Sequence, residues 1–230
     1  MKTLRKVIPA ALLLGFSATA ALPQISKSGN GYLFRMKFTK GVISKYQMTA
    51  TTSLPTGGSM PFSTPFSQKV LSVANGVATV EFTVGPPVVN GQAQGKPTIQ
   101  TLKLDSKGKI VGGSASQQVS NITFPDKPVG IGGTWSGEMA GPGQMGAGGK
   151  LTATYKLVAV KKVGNLDIAV VSSTVKGGGS GMTITGSGES MLRLSDGSLQ
   201  SSNIKMTVTM PGQNGGKPMI LNSTVTVKRV

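Results

Sequence analysis

Period-two alternation of apolar and polar residues is the feature that most constrains this chain. The clearest case lies in residues 198–210, where Ile204, Met206 and Val208 alternate with lysine and threonine. Such alternation is typical of a β-strand with one buried and one solvated face. The pattern recurs along most of the chain, whereas runs rich in Ala, Glu, Lys and Leu, which favour helices, are missing. We therefore predict an all-β fold.

Turn signals divide the alternating stretches into hairpins. The strongest is Asn75-Gly76, a dipeptide that favours a two-residue β-turn between antiparallel strands. Lys40-Gly41 likewise separates residues 32–39 from residues 42–50. We expect these two segments to pair as the first hairpin of the fold. We also expect residues 32–39 to lie near the last strand, where they would cover an open edge.

The two halves of the chain are similar in sequence. Two pairs of segments align with single-residue gaps: 68–82 with 155–170, and 102–110 with 192–199. The offset of about ninety residues is too long for a solenoid or propeller repeat and favours a duplicated β unit. We predict two sequence-related antiparallel units, residues 21–124 and 136–230, which form a sandwich or a flattened, open barrel within one compact domain.

Residues 125–135 are predicted to connect the two units. Pro125 and Pro128 fix the backbone and remove two hydrogen-bond donors, which excludes a helix or a central strand. The segment ends at Trp135, the only tryptophan of the chain. Because an indole buries a large apolar area, we expect Trp135 and the two prolines to anchor the connector on the core. The alternative is that Trp135 lines a binding site.

The first twenty residues match a secretory signal peptide. Three basic residues lie within the first six positions, residues 8–16 are apolar, and small residues precede a cleavage position after Ala20. We expect cleavage there and export to the periplasm or the extracellular space. The alternative is an uncleaved, membrane-anchored N-terminus. No later stretch approaches the roughly eighteen apolar residues of a transmembrane helix.

The charge of the chain favours anionic partners. The formal net charge is +17, and +14 remains once the three basic residues of the signal segment are removed. Lipid headgroups and anionic envelope polymers are suitable partners. However, lysines such as Lys45, Lys69 and Lys228 are spread one per strand, which is equally typical of a solvated face. We expect no nucleic-acid binding, since the aromatic residues lie on apolar faces and not among basic residues.

The residue types argue against catalysis. The chain has no histidine and no cysteine, so the usual general base, the thiolate nucleophile and the common metal ligands are absent from its sequence. Asp105 and Asp196 lie in glycine turns, where aspartate caps its own backbone. Glu81 and Asp167 lie near aligned positions of the two halves, which reflects symmetry and not a catalytic pair. We predict a non-enzymatic protein without catalytic residues, cofactor or metal.

A central motif resembles one known group of proteins. The motif has the pattern P-x-K-P-V-x-x-G-x-x-W and consists of Pro125, Lys127, Pro128, Val129, Gly132 and Trp135. Together with an early aromatic and basic strand and duplicated Val-rich hairpins, it resembles a family of uncharacterised bacterial exported β-proteins. This resemblance implies an architecture but no activity. In strand count and topology alone, the layout is distantly similar to the half-barrel of periplasmic lipoprotein carriers.

Methionines suggest a ligand. Five of them fall on the apolar sides of predicted strands: Met36, Met48, Met206, Met210 and Met219. Their flexible, polarizable side chains adapt to irregular apolar partners. We predict an exported binding protein for an apolar or amphiphilic ligand, with lysines at an anionic headgroup. The alternative is a structural or adhesive envelope component that binds anionic polymers through its basic surface, with the methionines filling an ordinary core.

Overall fold

A computed structural model of the chain describes residues 22–54, 57–89, 91–113, 123–140, 150–179, 181–195, 198–212 and 216–230. The predicted signal peptide and the turn residue Asp196 lie outside these ranges. Within them, every regular element is a β-strand, which confirms the all-β prediction. No helix of the described residues is long and apolar enough to cross a membrane.

The described part of the chain forms fifteen strands. In chain order they are β1 Leu22–Ser28, β2 Gly31–Lys37, β3 Ile43–Ser53, β4 Ser59–Ala74, β5 Val77–Val84, β6 Val88–Val89, β7 Gln92–Ala93, β8 Thr98–Leu104, β9 Ile110–Gly113, β10 Thr134–Ala140, β11 Lys150–Val163, β12 Leu166–Gly179, β13 Met182–Arg193, β14 Leu199–Met210 and β15 Met219–Arg229.

One antiparallel sheet contains most of these strands. Its order is β10-β11-β12-β13-β14-β15-β3-β4-β5-β8-β9, with the short strands β6 and β7 beside β4. β15 pairs with β14 on one side and with β3 on the other. The last strand therefore joins the C-terminal group of strands to the N-terminal group. One large open sheet with one small sheet falls within the predicted class of sandwich or open barrel.

The predicted pairing of residues 32–39 with residues 42–50 is wrong. β2 pairs along its whole length with β1, from Leu22 opposite Lys37 to Ser28 opposite Gly31. β3, and not β2, lies beside the last strand. Gly29 has a φ of 59°, which suits the tight turn between β1 and β2. The sequence did not reveal β1 because this segment is mostly polar.

β-Bulges set the side-chain phase of two long strands. The register shifts between Val70 and Ser72 in β4, and between Leu157 and Ala159 in β11. Both bulges lie in segments that the internal sequence alignment pairs with each other. Because a bulge adds one residue to its strand, the residues beyond it change faces. Lys161 of β11 consequently lies on the opposite face to Leu157.

The core covers one face of the large sheet, here called the core face; the other is the outer face. A large cluster of buried side chains includes Met48 and Trp135. A smaller one surrounds Val80 at the β4, β5 and β8 strands. The small β1–β2 sheet packs on the core face, since its Phe34 and Met36 belong to the large cluster. The main core therefore lies between the two sheets.

The connector, which comprises residues 123–133 in the structure, links distant strands of the large sheet. The backbone N–H of Phe124 donates to the carbonyl of Lys107 at 2.8 Å, in the turn between β8 and β9. Val129 exchanges two backbone hydrogen bonds with Tyr32 of β2, at 2.9 and 3.0 Å. The N–H of Gly132 then donates to the carbonyl of Leu157 in β11 at 2.7 Å. Residues 123–133 thus bridge strands near the two ends of the sheet order, with β2 between them.

Candidate functional site

Trp135 lies at the junction of the connector and both sheets. It is 8% exposed, and its ring centroid is 5.4 Å from that of Tyr155 and 5.4 Å from that of Phe34. Its Nε1–H donates to the carbonyl of Thr123 at 3.1 Å, which satisfies the one polar group of the indole. Burial also raises the pKa of the neighbouring Tyr155 hydroxyl. This geometry is that of a packing position in the core.

The connector is held by two basic side chains. The guanidinium of Arg35 donates to the carbonyls of Pro125 at 2.6 Å and Asp126 at 2.7 Å. The Nζ of Lys107 lies 2.6 Å from the carboxylate of Asp126. The hydrogen bond and charge of Lys107, with a smaller contribution from Arg35, lower the pKa of Asp126. Pro128, the other predicted anchor, is exposed, so its ring adds little to the core.

The five methionines predicted to line a ligand site lie at the large core cluster. Met36, Met48 and Met206 are buried within it, at 3–4% exposure. Met210 and Met219 are partly buried against it and face each other across β14 and β15. Met36 belongs to β2, which lies over the core face. The structure therefore places the chain's own hairpin against the surface that a ligand would need.

Acidic residues form no obvious centre for chemistry in the described ranges. Asp105 accepts hydrogen bonds from the backbone N–H groups of Lys107 at 2.8 Å and Lys109 at 2.9 Å, as expected of an aspartate that caps a turn. Asp167 lies opposite Lys162 beside the β11–β12 turn. Among the residues that the structure describes, no group of three His, Cys, Asp or Glu side chains could hold a metal ion.

A line of basic residues on the outer face is the most distinctive surface feature. We call it the basic belt; its members are Lys161 of β11, Arg193 of β13, Lys228 of β15, Lys45 of β3, Lys69 of β4 and Lys103 of β8. The five lysines are exposed and Arg193 is half-buried. In the sequence these residues are far apart, one per strand. In the structure, the strand register brings them into one line.

The basic residues at the centre of the belt lie closest to one another. Lys228 lies opposite Gln47, so Lys45 is its diagonal neighbour two residues along β3. Lys69 lies opposite Ile43, which makes it the next diagonal neighbour of Lys45. Diagonal neighbours of an antiparallel pair are roughly 7–8 Å apart. Three like charges at this spacing repel one another, and an anion beside them relieves that repulsion.

The two ends of the belt extend this centre across the sheet. Lys161 and Arg193 face Ile168 of β12 from its two sides. Ile168 has no exposed surface, which the aliphatic stems of long basic side chains can explain. At the other end, Lys103 is separated from Lys69 by β5, whose half-buried Glu81 lies opposite Lys69. Glu81 therefore offsets part of the positive charge between Lys69 and Lys103, and the belt is most positive at its centre.

The belt was missed in the sequence because its members are far apart along the chain. The available signal was the phase of each lysine, since Lys45, Lys69 and Lys228 all lie at outward positions of alternating strands. The position of a lysine in the alternating pattern shows on which face of the sheet it lies. It does not show which residues of the neighbouring strands lie beside it. Only the pairing of β15 with β3, which joins the last strand to the N-terminal group of strands, puts these residues side by side.

Comparisons with known proteins leave the family open. No family model matches the chain, and no curated protein matches it. Solved structures with some likeness include a predicted exported protein with a YmcC-like fold from Bacteroides fragilis, at 10% identity and a TM-score of 0.39, covering 89% of this chain and 97% of that one. Another is a predicted lipoprotein from Parabacteroides distasonis, at 11% identity and a TM-score of 0.38, covering 84% and 96%.

A third is Rv2717c from M. tuberculosis, at 12% identity and a TM-score of 0.35, covering 81% of this chain and 91% of that one. Two of these three are described as an exported protein and a lipoprotein. Likenesses at these identities and TM-scores show no common family.

Proposed function

We propose that the protein is a non-enzymatic, exported component of the cell envelope that binds anionic polymers through the basic belt. The observation that carries this proposal is the strand register, which aligns six basic residues across the outer face. Export is supported by the signal-peptide pattern of the first twenty residues. Intact mass of the mature protein tests it, since cleavage after Ala20 is expected and an uncleaved chain contradicts export.

A linear polymer suits the shape of the belt better than a small anion does. From β11 to β8 the belt crosses nine neighbouring strands. At a strand spacing of about 4.8 Å, its length along the sheet is roughly 38 Å. A polyanion that follows this line meets successive basic residues and releases counterions at each contact. A single small anion would contact only two or three of them.

The polymer experiment measures affinity against ionic strength. We expect the mature protein to bind long polyphosphate and polygalacturonate but not neutral dextran. If about five contacts form, the counterion-release slope for single-stranded polyanions predicts a loss of roughly a hundredfold between about 50 and 200 mM salt. Affinity that does not change with salt, or equal binding of dextran, contradicts an electrostatic site.

A pair of matched variants tests whether the belt is the site. Lys45→Gln, Lys69→Gln and Lys228→Gln together remove three charges from its centre. Lys96→Gln, Lys176→Gln and Lys217→Gln remove the same charge from exposed lysines elsewhere. We expect the first triple variant to weaken polymer binding at least about tenfold, and the second to weaken it much less. Equal losses would show that binding follows total charge and not the belt.

An apolar or amphiphilic ligand is the second candidate. It is favoured by Met210 and Met219, which face each other at the rim of the large core cluster and are only partly buried. Met182 packs against the same cluster and is also partly buried. Native mass spectrometry of protein purified from its own envelope would show a captured lipid as added mass. Ligand-free protein that also fails to bind a fluorescent fatty acid would exclude this candidate.

A further inference from the structure

We propose that the ligand of the basic belt is a linear polymer whose hydroxylated units carry the anionic groups, as in an acidic polysaccharide. This inference rests on the proposed function and names the substrate class of the same site. It comes from a second set of outer-face residues that adjoins the belt. We call this set the hydroxyl field; its members are Thr49, Thr51, Asn203, Asn222, Thr224 and Thr226.

The register makes the hydroxyl field continuous across three strands. Thr226 of β15 lies opposite Thr49 of β3 on one side and Asn203 of β14 on the other. Thr224 of β15 lies opposite Thr51 in the same way. Directly opposed side chains of an antiparallel pair are roughly 5 Å apart at Cβ. The field therefore offers a row of hydrogen-bonding groups at intervals of about 5 Å across the strands.

The hydroxyl field adjoins the centre of the belt. Thr226 precedes Lys228 by two residues on the same face of β15, which corresponds to about 7 Å along the strand. On β3, Gln47 separates Lys45 from Thr49 on that face. A polymer unit whose acidic group contacts Lys45 or Lys228 can therefore place its hydroxyls over the threonines without leaving the sheet.

The field is rigid, which favours recognition over ordinary solvation. Threonine has few side-chain rotamers in a strand, so little entropy is lost when a ligand binds. The Nδ2 of Asn203 donates to the Oγ1 of Thr226 at 3.4 Å, and the Oγ1 of Thr207 donates to the Oδ1 of Asn222 at 2.8 Å. These bonds orient the amides and use only part of the hydrogen-bonding capacity of each group.

The chain as a whole carries few charged side chains. Charged residues make up 13% of the chain, against roughly a quarter in a typical globular domain. Two charged side chains lie directly beside the field, Lys205 opposite Thr224 and Glu189 opposite Asn203. A polymer that bears anionic groups alone would use the belt and leave the field solvated. An acidic polysaccharide would use both surfaces.

The test compares polygalacturonate with polyphosphate. Thr49→Val, Thr224→Val and Thr226→Val together replace three hydroxyls with methyl groups of similar shape and keep a high β-propensity. We expect affinity for polygalacturonate to fall at least about tenfold, because neutral hydrogen bonds to the three hydroxyls are lost. Affinity for polyphosphate should stay within about twofold, because these residues make no charged contact with it.

The serine variants Thr49→Ser, Thr224→Ser and Thr226→Ser are the matched control. They retain the hydroxyls and should keep most of the affinity for polygalacturonate, and thermal melts should show all variants folded. If the valine variant binds both polymers like the unmodified protein, the inference is wrong. If it weakens neither polymer while the belt variant weakens both, the proposed function stands without it. If the belt variant also weakens neither, both proposals fail.

Discussion

Trp135 shows at the scale of single residues how one side chain joins separate parts of the fold. Its indole contacts Phe34 of the small sheet and Tyr155 of the large one, and it donates to Thr123 of the connector. We expect Trp135→Ala to lower the free energy of unfolding by about 3–5 kcal/mol, the usual cost of emptying a large aromatic site. Urea denaturation measures the change.

Trp135→Phe serves as the control for that prediction. It keeps an aromatic ring beside Tyr155 but loses the hydrogen bond to Thr123 and part of the buried area. Its cost should therefore be clearly smaller than that of the alanine variant. A loss under about 1 kcal/mol for Trp135→Ala would show that the indole contributes little to packing.

Asp126 provides a prediction about pH. Lys107 and Arg35 lower its pKa, so the folded carboxyl titrates below the ordinary value of about 3.9. A lowered folded pKa means that the stabilisation is present above the unfolded pKa and is lost as the pH falls through the folded pKa. The effect is therefore confined to acidic solution. We expect Lys107→Gln to raise the pKa of Asp126 in an NMR titration of its carboxyl carbon.

Lys109→Gln is the matched control for Asp126. Lys109 lies two residues after Lys107 in the same turn, but its side chain is not among the groups that lower the pKa of Asp126. The titration midpoint of Asp126 should therefore stay low in that variant. An Asp126 that titrates at its ordinary value in the unmodified protein would contradict the ion pair.

At the scale of elements, Gly188 explains how β13 fits against β14. A Cβ added there would meet the carbonyl oxygen of Asn203 and would lie 2.8 Å from the Cα of Ile204. Both atoms belong to the backbone of β14 and cannot move without a shift of the strand. We expect Gly188→Ala to lower the free energy of unfolding by roughly 1–3 kcal/mol, as overpacking usually does.

Gly112→Ala is a suitable comparison for Gly188→Ala. Its added Cβ would lie 3.5 Å from the flexible side chain of Lys103, which is an ordinary contact. Chemical denaturation of the two variants side by side should therefore show a loss for Gly188→Ala and almost none for Gly112→Ala. Equal effects would mean that strand propensity, and not the close approach of β14, determines the cost.

At the scale of the whole molecule, β15 holds the large sheet together. It is the only described strand that pairs with both the C-terminal group and the N-terminal group, through β14 and β3. We expect a chain that ends at Gly212 to lose cooperative folding. It would expose two strand edges and lose the buried side chains of Leu221, Val225 and Val227. Circular dichroism and size-exclusion chromatography measure the outcome.

The full-length variant Lys228→Gln is the control for the truncation, because it changes β15 only on the outer face. It should melt in one transition like the unmodified chain, seen alike by tryptophan fluorescence and far-UV circular dichroism. A truncated chain with a native-like spectrum and a cooperative melt would show that the two groups of strands fold without β15.

Local geometry let the sequence determine the class of fold and the face of most strand residues. Period-two alternation depends only on neighbouring positions, so it gave the all-β fold and placed Met48 and Met206 on the core face. The Asn75-Gly76 turn could also be predicted from the sequence, because its backbone conformation depends on these two residues alone. In the structure Asn75 has a φ of 50°.

Strand partners and register were decided only by the tertiary structure. The choice of β1 as partner of β2, and of β15 as partner of β3, depends on contacts between residues distant in the chain. An alternating strand satisfies its pattern beside any partner that buries the same face. The neighbours of an outward lysine on adjacent strands are therefore undetermined until the register is fixed. For that reason the sequence showed the lysines and threonines, whereas only the paired strands showed the basic belt and the hydroxyl field.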